Sequence, residues 1–101
     1  MATKIAFIID NPSDPTVFET AYEDVLKLAN QLPDQQRLES AKVWPKEDGS
    51  ATPAYRTLDI YFDTYEAASA AVATPVAGDF FQRLIATDVP FKALFSEIEQ
   101  A

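Results

Sequence analysis

A lone carboxylate in the middle of an apolar strand is the group in this chain best suited to move a proton. Arg56-Thr57-Leu58-Asp59-Ile60-Tyr61-Phe62 alternates with period two, so Leu58, Ile60 and Phe62 share one face and Thr57, Asp59 and Tyr61 the other. Tyr61 is large and half apolar, so the strand reads as covered on both sides, and a charge placed in a cover is costly unless it is paired or used. Desolvation disfavours the charged form of a carboxylate, the usual way a protein prepares one for acid/base work. The structural alternative is an ion pair of Asp59 with Lys4 or Arg37, or a hydrogen bond across a subunit interface. Paired buried charges are commoner than catalytic ones, which tilts Asp59 toward a fastener rather than a proton carrier.

Around Asp59 the usual partners in catalysis are absent. The chain has no Cys and no His, which removes disulfides, thiolate chemistry, and the commonest general base and metal ligand together. Only an all-oxygen Mg²⁺ or Ca²⁺ site remains conceivable, and the acids show no calcium-loop spacing, so no metal and no cofactor is expected. The remaining candidates are ligand-binding side chains. Tyr22 is a core aromatic whose hydroxyl reaches the rim, where it could orient a ligand, as could Tyr61. Val25, at the centre of a helical apolar face, is either core or pocket wall. Trp44 and Tyr55 flank a long loop and could roof a pocket, or lie at a dimer seam. Arg56 would either attract a ligand carboxylate or answer one of the chain's many acids.

The elements that must position these residues follow from pattern. Lys4 to Ile9 is a first strand, closed by Asp10-Asn11-Pro12. Asp14-Pro15 is an N-cap with Pro at the first helical position, and Phe18, Ala21, Tyr22, Val25, Leu28, Ala29 and Leu32 follow at helical spacing up to Pro33. A second strand spans Gln36 to Trp44, a loop Pro45 to Pro53, and a third strand Tyr55 to Phe62. Asp63 to Glu66 has the layout of a capping box ahead of an Ala-rich helix, Glu66 to Ala73. Thr74-Pro75 starts another helix, with Val76, Phe80, Phe81, Leu84 and Ile85 as its buried stripe and Gly78 as a point of close packing. Phe91 to Ile98 is the last strand, Phe91, Ala93 and Phe95 on one face and Leu94 and Ile98 on the other.

This order is the α+β, ferredoxin-like split βαβ arrangement, β-α-β-β-α-β with an antiparallel sheet and the first and third strands central. Helices cover one face only. The other would expose Phe, Tyr and Ile side chains unless a second sheet covered it, so a homodimer through that face is expected.

Composition narrows the partners. With 101 residues and 48% hydrophobic content the chain reads as a single folded domain spanning 1–101, not as a disordered segment. A formal net charge of -8 excludes nucleic acid and anionic membrane surfaces, both of which need a basic footprint. Met1 to Ile9 is neither signal peptide nor membrane span, so a cytoplasmic location is expected.

Phe18 to Pro33, Arg37 to Val43, and Tyr55-Arg56 through Leu58-Asp59-Ile60-Tyr61-Phe62-Asp63 to Glu66-Ala67 resemble the EthD family of dimeric α/β-barrel proteins. The helix ending in Leu32-Pro33 and the strand end Asp59 to Asp63 carry the likeness. It implies a ferredoxin-like protomer, a homodimer joining two sheets, and a small pocket between sheet and helices for an apolar or aromatic molecule. Any activity would be cofactor-independent proton transfer such as isomerisation, cyclisation or decarboxylation; the alternative is a non-catalytic dimeric module with a filled interior. Family members often carry His on the first helix with Pro two residues later, and aligned through Leu28-Ala29 and Leu32-Pro33 those positions here are Val25 and Lys27. The chemistry of His-bearing relatives therefore does not carry over.

Overall fold

A computed structural model describes residues 2–101. Its elements run β1 (Thr3–Ile9), α1 (Pro15–Ala29), β2 (Arg37–Lys42), β3 (Arg56–Phe62), α2 (Tyr65–Val72), α3 (Pro75–Ala86) and β4 (Phe91–Glu97). The four strands form one antiparallel sheet in the order β2-β3-β1-β4, with β1 and β3 central as the ferredoxin-like arrangement requires. One further bond, from Ile98 N–H to the Ala2 carbonyl at 2.8 Å, extends the β1–β4 ladder.

Register sorts the side chains. Residues opposite one another in a ladder share a face, so Ile5, Phe7 and Ile9 lie with Leu58, Ile60 and Phe62 beneath the helices. All six are at most 1% exposed. Phe18, Tyr22, Val25 and Ala29 of α1 and Ala77, Phe80 and Leu84 of α3 close over them. Phe7 is the hub of the aromatic part of this core, with ring centroids 5.2 Å from Phe80, 5.9 Å from Phe81 and 6.3 Å from Phe91.

The helix starts obey local rules. Asp14 Oδ1 accepts from the Val17 N–H at 3.3 Å with Pro15 at the first helical position. The helix ends at Ala29, earlier than its apolar spacing indicates. Gln35 Nε2 donates to the Ala29 carbonyl at 2.8 Å and to that of Leu32 at 3.0 Å, closing the end, and Leu32 stays in the core beyond the turn. For α2 the cap is Thr64, whose Oγ1 accepts from Ala67 N–H at 3.1 Å; the capping box expected on Asp63 does not form, because Glu66 then falls one position short of reaching back. Thr74 splices α2 to α3, donating to the Ala71 carbonyl at 2.7 Å and accepting from Ala77 N–H at 3.3 Å.

Several expected placements change. The regular part of β2 stops at Lys42, although Val43 N–H still reaches the Tyr55 carbonyl at 2.9 Å; Pro45 has no N–H to carry the ladder on. In α3 the buried stripe runs through Ala77, Phe80 and Leu84, which leaves Ile85 roughly a third of a turn off the core and 63% exposed. Gly78 is exposed, and a Cβ built on it would meet nothing within 4 Å. It makes no close contact, so Gly78→Ala is expected to stabilise the fold by about 0.5–1 kcal/mol through backbone entropy alone. A chemical-denaturation curve checks this; an unchanged or lower midpoint would mean that the glycine serves something besides the helix.

The face away from the helices is open. It carries Lys4, Ala6 and Ile8 of β1, Arg37, Glu39 and Ala41 of β2, Thr57, Asp59 and Tyr61 of β3, and Lys92, Leu94 and Ser96 of β4. The Phe residues of the strands are not among them: Phe7, Phe62, Phe91 and Phe95 all register with the helix side. The open face is thus less apolar than its sequence indicates, with Ile8, Leu94 and the Tyr61 ring as its larger apolar groups.

Candidate functional site

Asp59 sits mid-strand on the open face, opposite Ala6 on one side and Glu39 on the other. Two carboxylates in direct register repel, and the face answers each with a cation. Lys4 Nζ lies 4.0 Å from Asp59 Oδ1 and Arg37 Nη2 lies 3.5 Å from Glu39 Oε2. Tyr61 donates its hydroxyl to Glu39 Oε1 at 2.8 Å, and the Arg37 guanidinium stands 4.4 Å from the centre of its ring. Of the two partners anticipated for Asp59, Lys4 is the one beside it and Arg37 serves Glu39. The Asp59 side chain is 21% exposed, so one side of the strand has no cover within a single protomer.

Tyr22 and Val25 lie on the opposite side of the sheet. Val25 and Tyr22 are both buried, and the Tyr22 hydroxyl is 3.0 Å from Ser40 Oγ of β2. Burial pushes the Tyr22 phenol above its usual range, partly offset by that hydrogen bond. The seam between sheet and helices is filled by side chains around these two residues. Clefts of about 420 and 500 Å³ both open beside Asn11, and neither is lined by Tyr22 or Val25.

One polar assembly does penetrate the seam, and it centres on Glu19, a residue the sequence pattern does not single out. Arg56 begins β3 on the helix side of the sheet, since it shares phase with Leu58 and Ile60. It reaches α1 and grips Glu19 with both prongs, Nη2 to Oε1 at 2.6 Å and Nε to Oε2 at 2.8 Å. Its guanidinium also stands 4.8 Å from the Tyr22 ring centre. Tyr55 donates its hydroxyl to Glu19 Oε2 at 3.1 Å while its ring stands edge-on to Phe18, centroids 5.7 Å apart. The Arg56 guanidinium holds the Glu19 carboxyl below the usual carboxylate range, against the opposing effect of burial. A cation on a covered strand face needs an acid from the element above it, and that requirement was the available signal for Glu19.

Tyr55 is also one wall of the 500 Å³ cleft, which lies between the end of β2 and the start of β3. Trp44, 87% exposed, and Pro45 form its far side, and Lys42 projects beside Tyr55, its Nζ 5.4 Å from the ring centre. The loop is tied down at several points. Asn11 Nδ2 donates to the Thr52 carbonyl at 2.8 Å, Tyr55 N–H to the Ile9 carbonyl at 2.7 Å, and Ser50 to Asp48 Oδ1 from both its backbone N–H (2.9 Å) and hydroxyl (2.6 Å). Gly49 takes the positive φ, 77°, that lets this turn close.

The seven residues singled out from sequence therefore do not form one site: Arg56 and Tyr55 meet at Glu19 beside Tyr22, Tyr55 shares the cleft with Trp44, and the open-face residues stand apart. Asp59 and Tyr61 occupy the open face, Tyr22 and Val25 the core, and Trp44 the loop cleft. Among the described residues no group of three acids is arranged to hold a metal ion, and no helix is long and apolar enough to cross a membrane.

No family model matches the chain, and no curated protein matches it significantly. Solved structures do. An EthD (ethyl tert-butyl ether d) family protein from Bacillus halodurans superposes with a TM-score of 0.87 over 97% of this chain and 99% of its own, at 16% identity. SnoaB, a cofactor-independent oxygenase from Streptomyces nogalater, gives 0.71 over 99% and 95% at 13% identity. A dimeric ferredoxin-like protein of unknown function from Thermobifida fusca gives 0.72 over 97% and 92% at 12% identity. Identities this low establish a shared fold, and at that level the resemblance to EthD proteins read from the sequence is borne out.

Proposed function

We propose that this chain is an EthD-like homodimeric module whose two copies join through the open faces of their sheets, with a packed interior and Asp59 as a structural fastener. The charge of the open face carries this reading. In a chain of net charge -8, the strand residues of that face include three basic residues and only two acidic ones. Two copies can therefore approach there without the repulsion that the rest of the surface imposes. Ile8 and Leu94 supply apolar area to bury, and Leu94 is 48% exposed in the protomer. Two solved proteins of this fold are described as dimeric.

The catalytic alternative has less support. Proton transfer by Asp59 would need a substrate cavity that it lines. A cleft of about 670 Å³ on the open face is lined by Lys4, Arg37 and Tyr61 but not by Asp59, which stands on the far side of the sheet from the filled seam. Light scattering after size exclusion tests the dimer. The expected mass is twice that of the 11.2 kDa chain, falling to the single-chain value in Leu94→Glu with an unchanged far-ultraviolet spectrum. A wild-type protein that runs as a monomer at tens of micromolar overturns the reading.

A further inference from the structure

We propose that the cleft between Trp44 and Tyr55 binds a planar aromatic carboxylate, its ring against the two aromatic side chains and its carboxylate toward Lys42. Size, lining and charge each favour this class of ligand. The cleft measures about 500 Å³, room for a bicyclic ring, and Trp44, Tyr55, Val43 and Pro45 give it apolar and aromatic walls. Trp44 is the only tryptophan of the chain and 87% exposed, so its indole face is available to stack on a flat ring. Tyr55 cannot swing away, because its hydroxyl is bonded to Glu19 and its ring edge rests against Phe18. A wall fixed in advance lowers the ordering cost of binding.

The sign of the charge follows from which groups are already spent. Glu19, the acid bonded to Tyr55, is gripped at both oxygens by Arg56, and Asp48 is turned into its own loop by Ser50. Lys42 makes no ion pair within 4.0 Å among the described residues, although its charge helps to hold Glu19 ionised; it stands over the Tyr55 ring and lines the cleft. An ammonium beside an aromatic slot selects an anion attached to a flat ring, and a cationic ligand would meet Lys42 head on. The inference stands on the cleft of one protomer and is independent of the sheet-face dimer.

Naphthalene-2-carboxylate and its neutral analogue naphthalene-2-carboxamide are the probes. In a ¹H–¹⁵N correlation spectrum the single indole N–H signal, from Trp44, reports occupancy directly. The carboxylate is expected to shift that signal saturably and to bind at least about tenfold more tightly than the amide. Lys42→Met should abolish the preference while sparing amide binding, and Trp44→Ala, followed by calorimetry, should weaken both ligands without altering the molecular mass. Equal binding of acid and amide overturns the proposal, as does saturable binding that leaves the indole signal in place. A change of oligomeric mass in Trp44→Ala would instead assign the tryptophan to a subunit contact and overturn it equally.

Discussion

Phe7→Ala is expected to lower the unfolding free energy by about 3–5 kcal/mol, the range for removing a buried phenylalanine from a core that relaxes only partly. Phe7 is 1% exposed and touches the rings of Phe80, Phe81 and Phe91, so its loss leaves a void that joins β1, α3 and β4. Against a typical total of about 5–15 kcal/mol for a single domain, that is a large share of the whole. Urea titration of both proteins at the same concentration measures it, equal concentration mattering because a dimer's stability depends on it. A loss below about 1 kcal/mol would mean that the aromatic cluster is not close-packed.

The second large effect lies at the Glu19–Arg56 pair. Arg56 is 16% exposed at its side chain, so Glu19→Gln leaves a mostly buried cation without its anion and puts a neutral amide where Tyr55 and Arg56 both met a carboxylate. A loss of about 2 kcal/mol is expected, below the cost for a fully buried pair because Glu19 itself is 34% exposed. A double-mutant cycle with Arg56→Met should return a coupling of about 1–2 kcal/mol. The effect has a defined pH window. Since the folded protein holds the Glu19 carboxyl below its ordinary value of 4.5, the unfolded chain takes up the proton first as pH falls. The stability gap between wild type and Glu19→Gln should therefore be constant from neutral pH down to that ordinary value and close below it. A gap that persists unchanged in strong acid would exclude the ion pair as its source.

What could be read from the sequence and what could not divides along range of interaction. The period-two alternation of β3, the Asp14-Pro15 start of α1 and the Thr74-Pro75 start of α3 depend on neighbours in the chain, and each stands where its residues indicate. The order of elements then leaves few topologies, and the sheet adopts the ferredoxin-like one. Details that depend on a competing local partner went astray: Thr64, not Asp63, caps α2. The Glu19–Arg56 contact spans 37 positions of sequence and depends on where α1 lies over β3, which no local pattern encodes. Whether the seam holds a cavity is likewise a matter of summed side-chain volume. Tyr22 and Val25 suit a pocket wall or a core equally well by type, and only the packing of α1 against the sheet makes them core.

The placement of β1 also bears on how the protein is made. It is a central strand whose two partners are β3 and β4, and β4 ends at Glu97. During synthesis Ile5, Phe7 and Ile9 leave the ribosome more than forty positions ahead of the first strand that can pair with them, Arg56–Phe62. Translation at about 5–20 residues per second leaves that segment, rich in β-favouring residues, unpaired for seconds. The sheet cannot close until β4 has also left the exit tunnel, and until then the nascent chain is open to chaperones and to misassociation with its own copies.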